Sequence, residues 1–298
     1  MSETTPPAQP ESPLPLSLVC EMARSIPCSP WLLPPLMDLL SKPEKAEAHD
    51  VQAMIMKDPG LSTAVLRMAN SAFFASSMQC ETVADAVVRI GFKQLYRIAA
   101  GSLAGRWLAN QPVGAYGWEP GDLYKHSLCV AVASEALAKR VGHGVQTELA
   151  YTAGLLHDVG KLALAHACAD QFEKIRLHQL EKGVPWRQAE HDLLGYDHTD
   201  VGGVLTEGWG YPVSLVEVAC YYPRPRMAGS EQQPLVTLVH AGKHLATSMG
   251  YGVGEDGFSV ELDEELLQRF GVTEELLEKV LPEIVTGTEK LLQAGVPG

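Results

Sequence analysis

The 298-residue chain carries 36 Asp and Glu against 23 Lys and Arg, a formal net charge of −13, with 46% hydrophobic and 20% charged residues. Such a chain has core enough for one large domain or two packed lobes, and acidity without clustered bases excludes a non-specific nucleic-acid binder. Six scattered cysteines with no C-x-x-C pair exclude a zinc ribbon or redox motif.

The N-terminal "MSETTPPAQPESPLPLS" has no basic segment followed by an apolar core, so no signal peptide is expected. No run of about 18 apolar residues follows either, and a cytoplasmic location without a membrane partner is the default. Residues 1–15, rich in Pro, Ser, Thr and Glu, predict a flexible tail, the alternative being a Pro-rich ligand for a partner. Residues 16–115 predict an N-terminal helical lobe. Within it "DPGLSTAVLRMANSAFF" starts a helix, Asp58 capping and Pro59 occupying the first helical position. Leu61, Val65, Met68 and Ala72 then trace one apolar stripe, widened by Leu66 and Ala69. "VADAVVRIGFKQLYRIAAGSLAGRWL" stays helical with a break at Gly91.

Gly117, Pro120 and Gly121 mark a connection, which places the boundary to a second lobe, residues 116–298. There "LYKHSLCVAVASEALAKRV" is a helix reaching Gly142. "QTELAYTAGLLHDV", apolar on almost every side, predicts a core helix ending at Gly160. A turn, a short helix, a loop at Gly195 and a helix from near Asp197 come next. Between Glu255 and Lys290, eleven acidic residues stand against Arg269, Lys279 and Lys290. They predict acidic C-terminal helices with a solvated face or, alternatively, an acidic docking surface. No segment alternates with period two, so the fold class is all-α.

"KHS" at 125–127, "LLHDVGK" at 155–161 and "YDHTDVGGVLTEGWGYP" at 196–212 resemble the HD superfamily of metal-dependent phosphohydrolases. Together with "DPGLSTAVLRMANSAFF" they resemble its HDOD branch more closely, over roughly residues 20 to 250. The resemblance implies an N-terminal helical bundle packed on an HD-like helical lobe, and a role in signalling output or regulation without catalysis. For the superfamily's metal it implies a His, a His-Asp pair and a distant Asp. His126, His157 and Asp158 match the first three, but the last position falls at Ala241-Gly242, where no carboxylate stands. His198 matches one histidine of the binuclear enzymes. Their His-His pair is replaced by Tyr221 and Tyr222, whose phenols, with a reference pKa of about 10, ligate metals poorly at neutral pH. The Gly-Tyr-Pro at 210–212 belongs to the WG-x-P element of HDOD proteins and not to the cyclic-dinucleotide phosphodiesterase signature.

A hydrolytic ion needs several His and carboxylate ligands with one coordination position left open. His126, His157 and Asp158, with His198 as a fourth, are the candidate ligands for iron or manganese. The alternative is that His126, His157 and Asp158 hydrogen-bond one another as a buried structural cluster, with no cofactor. Lys161 is a candidate ligand-binding residue that faces a phosphate, or else neutralises the dipole of a helix ending just before it. His240 and His244, four apart, have metal-compatible spacing but no nearby carboxylate, and read as surface or core residues. Asn70 and Ser71 read as buried hydrogen-bonding groups. His143, His166, His178 and His191 have no distinguishing context. No catalytic residue is expected. The chain is read as a non-catalytic regulatory or scaffolding module with protein partners or a small nucleotide ligand. The alternative is a metal-dependent phosphohydrolase acting on a nucleotide or cyclic dinucleotide.

Overall fold

The computed structural model describes residues 14–24, 48–56, 58–71, 74, 79–109, 113–252, 254 and 261–295. The expected tail over residues 1–15 therefore lies almost wholly outside the described residues. All regular structure among them is helical, as the absence of period-two patterning predicts. The first group comprises α1 (Leu16–Arg24), α2 (Ala48–Met56), α3 (Pro59–Ala69), α4 (Val83–Ile90) and α5 (Phe92–Leu108). The second starts with α6 (Asp122–Val141), α7 (Thr147–Leu156), α8 (Val159–Ala167), α9 (Phe172–Lys182) and α10 (Trp186–Leu194). It continues through α11 (His198–Gly208), α12 (Val213–Tyr221), α13 (Gln233–Ser248), α14 (Glu264–Arg269) and α15 (Glu274–Gly295). Among the described residues no helix is long and apolar enough to cross a membrane.

Local chemistry sets the helix ends. Asp58 Oδ1 accepts the Leu61 amide at 2.9 Å, and Pro59 fills the first position, where no N–H is needed. Gly91, at φ 77°, separates α4 from α5. Asp197 caps α11 in a reciprocal box with Asp200, satisfying amide donors at that terminus from both directions. Along α3, Leu61, Val65, Met68 and Ala69 are buried as the stripe predicts, while Ala72 lies outside the described residues. Asn70 is exposed, not buried. Its amide still fixes local packing, donating to the Cys80 carbonyl at 2.9 Å and accepting the Cys80 N–H at 2.7 Å.

Helix α6 is the axis of the fold: from Leu123 to Ala138 nearly every side chain is buried. Helices α7, α13 and α15 pack along it. Two helices, α1 and α15, make contacts across the expected boundary at 115/116. Helix α1 lies against α8 and α11, tied by Tyr196 Oη donating to the Leu14 carbonyl at 2.6 Å, while α15 also touches α3 and α5.

One boundary differs from expectation. The core helix ends at Leu156, the His157-Asp158 turn follows, and Gly160 lies inside the next helix. Gly160 is needed for close approach and not for capping: a Cβ there would fall 1.8 Å from the His198 carbonyl oxygen. Gly154 does the same against α6, where a Cβ would meet the Ala131 backbone at 2.7 Å. These two glycines hold α7 and α8 tightly enough to fix the turn between them.

Gly160→Ala should therefore cost about 3 kcal/mol or more, because backbone and not a flexible side chain blocks the new methyl. Gly202→Ala, whose Cβ would make an ordinary 3.5 Å contact with the Ala219 methyl, should stay within about 1 kcal/mol of the parent. Urea unfolding of both variants measures the contrast, and equal midpoints would refute the close-packing argument.

Candidate functional site

The His157-Asp158 turn between α7 and α8 places both side chains in a centre walled by α6, α11, α12 and α13. His126 (α6), His157 and Asp158 are all buried, and one ligand atom from each lies within 4.8 Å of the others. The three candidates that the sequence singled out do converge. His126 Nδ1 faces the Tyr251 carbonyl at 3.0 Å, and His157 Nδ1 faces the Gly154 carbonyl at 2.7 Å. A carbonyl only accepts, so both Nδ1 atoms carry the proton. Burial then disfavours the charged rings, moving His126 down to about 4 and His157 below its ordinary value. Each Nε2 is left as a lone pair with no hydrogen-bond partner.

The two Nε2 atoms lie 3.5 Å and 3.3 Å from Asp158 Oδ2, without hydrogen-bond alignment. The expected mutual hydrogen bonding is thus not what satisfies the carboxylate. Tyr222 Oη donates to Oδ1 at 2.6 Å, and Lys161 Nζ donates to Oδ2 at 2.7 Å. Lys243 Nζ stands 3.5 Å from the same Oδ2. Burial alone favours the neutral acid, but the Lys161 and Lys243 ammonium groups hold the Asp158 carboxyl well below the usual carboxylate range.

Lys161 does not take the helix-dipole role that was its alternative reading. It sits in the first turn of α8, fully buried, with its ammonium on Asp158, and not beyond a helix C-terminus. His198 stands one step outside the convergent group. Its Nδ1 meets Glu190 Oε2 at 2.6 Å and its Nε2 meets Tyr222 Oη at 2.9 Å. Since Tyr222 gives its own proton to Asp158, both His198 nitrogens donate and the ring is an imidazolium. Burial opposes that charge, and the Glu190 carboxylate outweighs burial to raise the His198 pKa. Glu190, fully buried, also accepts Tyr116 Oη at 2.7 Å, Trp186 Nε1 at 2.9 Å and the His198 amide at 3.0 Å.

Apart from this centre, His240 is buried with both nitrogens engaged. Its Nδ1 donates to the Tyr222 carbonyl at 2.9 Å and its Nε2 accepts the Asp263 amide at 3.2 Å. His240 thus clamps α13 to the segment before α14, while His244 is only half-buried.

Sequence reasoning missed Lys243 and Glu190. Lys243 is a lone cation in the apolar run "LVTLVHAGKHLA", and a buried partner is what such a position demands. Glu190 gave no signal beyond its place four residues after Trp186.

For a transition metal, two imidazole lone pairs and a carboxylate are a sufficient donor chemistry. The charge is not. Asp158 supplies one negative charge and already meets two ammonium groups, so a divalent ion would enter a centre that is positive without it. The residues present do not fit a divalent ion.

The family model described as the HDOD domain matches residues 26–225. An HDOD domain protein of unknown function from Geobacter sulfurreducens has the same fold, at TM-score 0.73 and 21% identity over 95% of this chain and 98% of its own. A Marinobacter aquaeolei protein provisionally assigned to signal transduction gives TM-score 0.70 and 24% identity, over 94% of this chain and 58% of its own. An uncharacterized protein of Treponema pallidum is 24% identical over 221 residues, 74% of this chain. The chain spans only 42% of the length of that relative.

The neutral imidazoles set a pH dependence. Between pH 7 and 5 the unfolded chain protonates His126 and His157 near the reference value of about 6.5, while the folded centre refuses those protons. The unfolded state then binds more protons, and stability falls as pH falls. His126, held to about 4, contributes about 3 kcal/mol that is lost between about pH 6.5 and pH 4. His198 opposes this, since its raised pKa gives a contribution present at low pH and lost as pH rises through the folded value. Burial also lowers the His240 pKa, so the expected net result, three imidazoles against one, is a lower urea midpoint at pH 5 than at pH 7. His126→Gln should flatten that slope; an unchanged slope would contradict the assignment.

Proposed function

The chain belongs to the HDOD domain family, and from that premise we propose that it is a non-catalytic regulatory or scaffolding module in bacterial signal transduction. The observation that carries this is the engagement of Asp158. A hydrolytic centre of the HD type uses its carboxylate to hold an ion that activates water. Here both oxygens of Asp158 are committed to groups of the chain itself, Tyr222 on Oδ1 and Lys161 on Oδ2. The position of the last carboxylate in the HD pattern is Gly242, packed against α6, where a Cβ would come 2.7 Å from Ser134 Oγ. The site has lost a ligand and has closed the space for it. What remains useful is the shape of the helical body and its surface, so the ligands of the module are other proteins, with a small nucleotide as a second class. The provisional assignment of the Marinobacter relative to signal transduction points the same way.

A second reading is a metal-dependent phosphohydrolase acting on a nucleotide or cyclic dinucleotide. The two unpartnered Nε2 atoms of His126 and His157 favour it. The charge at Asp158 weighs against it.

The readings separate in two measurements. Purified chain with Mn²⁺ or Fe²⁺ should not hydrolyse bis(p-nitrophenyl) phosphate above the metal-only background. In the host, a folded His126→Gln/His157→Gln variant should complement deletion as the parent does. Turnover abolished by those substitutions, or a folded variant that behaves as a deletion, would reverse the assignment.

A further inference from the structure

We propose that Lys161 and Lys243 jointly replace the divalent ion of the HD centre, so that the chain supplies its own cation to Asp158. The two ammonium groups come from different helices and meet on the same oxygen, Lys161 from α8 at 2.7 Å and Lys243 from α13 at 3.5 Å. That oxygen is also the one toward which both imidazole Nε2 atoms gather, at 3.3 Å and 3.5 Å. A metal–ligand bond is about 2.0–2.2 Å long, so an ion bound to Oδ2 would share that oxygen with both ammonium groups. Each would repel it at close range in a medium that screens poorly.

The lysines are also held in place. The Lys161 side chain is fully buried, with Nζ 4.7 Å from the Trp118 ring centroid and 5.7 Å from that of Tyr116. Lys243 is buried with Nζ 5.1 Å from the Tyr222 ring centroid. Aromatic faces attract ammonium groups, and a buried stem gives no path to solvent, so neither cation swings aside for an incoming ion. Tyr222 adds a third donor on Oδ1 and occupies the side from which His198 would reach the centre. The HD ligand geometry and a fixed internal counter-charge therefore coexist around one carboxylate.

The assignment goes beyond the regulatory reading and is tested apart from it, because its readouts are metal content and melting, not turnover or phenotype. Chain purified from cells grown with added Mn²⁺, Fe²⁺ and Zn²⁺ should carry only sub-stoichiometric metal by mass spectrometry. Its melting temperature should ignore both EDTA and excess Mn²⁺. A Lys161→Met/Lys243→Met variant leaves Asp158 buried without a cation, so it should melt below the parent. Mn²⁺ or Zn²⁺ should raise its melting temperature by roughly 5 °C, and added His126→Gln should abolish the rise. A stoichiometric ion in the parent that His126→Gln releases would overturn the proposal, as would a folded double variant indifferent to metal. If the double variant does not fold, Lys243→Met replaces it, and the parent's metal content decides independently.

Discussion

A fully buried carboxylate, Asp158, is the constraint around which the second half of the chain is arranged. An ionised carboxylate taken out of water is costly unless charge and hydrogen bonds replace its hydration, and breaking such a cluster by removing one partner typically costs about 3–5 kcal/mol. Asp158 meets that requirement with Tyr222 on one oxygen and Lys161 and Lys243 on the other. Each of those partners creates its own demand. Tyr222, having given its proton away, accepts one from His198; His198, thus charged, needs Glu190; Glu190, fully buried, draws donors from Tyr116 and Trp186. The polar chain links α8, α10, α11, α12 and α13 through the buried core.

Such a chain of dependent groups requires helices placed to within fractions of an ångström, and the glycines show how this is achieved. Gly154 seats α7 on α6, Gly160 seats α8 on α11, and Gly242 seats α13 on α6, each at a contact where a methyl group would collide. Gly252, at φ 74°, continues the pattern: a Cβ there would lie 2.5 Å from His126 Nδ1, whose hydrogen bond goes to the preceding residue's carbonyl. Close backbone packing and ring orientation are thus one feature, because the carbonyls that fix both Nδ1 protons belong to segments held by these glycines.

Much of the fold was legible because it rests on local rules. The cap at Asp58, the break at Gly91, the stop at Gly142 and the start at Asp197 each depend on a few neighbouring residues, and each is found where expected. The convergence of His126, His157 and Asp158 was legible only through the HDOD resemblance, since 31 residues separate the first two. Gly160 was misread because a glycine near a helix end has two meanings, cap or contact, and only the distant His198 carbonyl distinguishes them. Lys243 and Glu190 were missed for a related reason. A charged residue in a helix looks solvated until the opposing helix is known, and their partners lie 85 and 8 residues away in the chain.

On the proposed reading, the same arrangement explains how an HD-like centre can stand without part of the HD ligand set. Removing a distal carboxylate from a metal site ordinarily leaves a buried cavity of mixed polarity, and the fold then suffers from unpaired groups. In this chain, Gly242 removes the carboxylate while the adjacent Lys243 brings a positive charge to the surviving one. On the proposed reading, the exchange keeps a positive charge beside Asp158 without the open coordination position that hydrolysis requires. Structure and catalysis make separable demands on one carboxylate, since the first needs only a fixed cation and the second an exchangeable one.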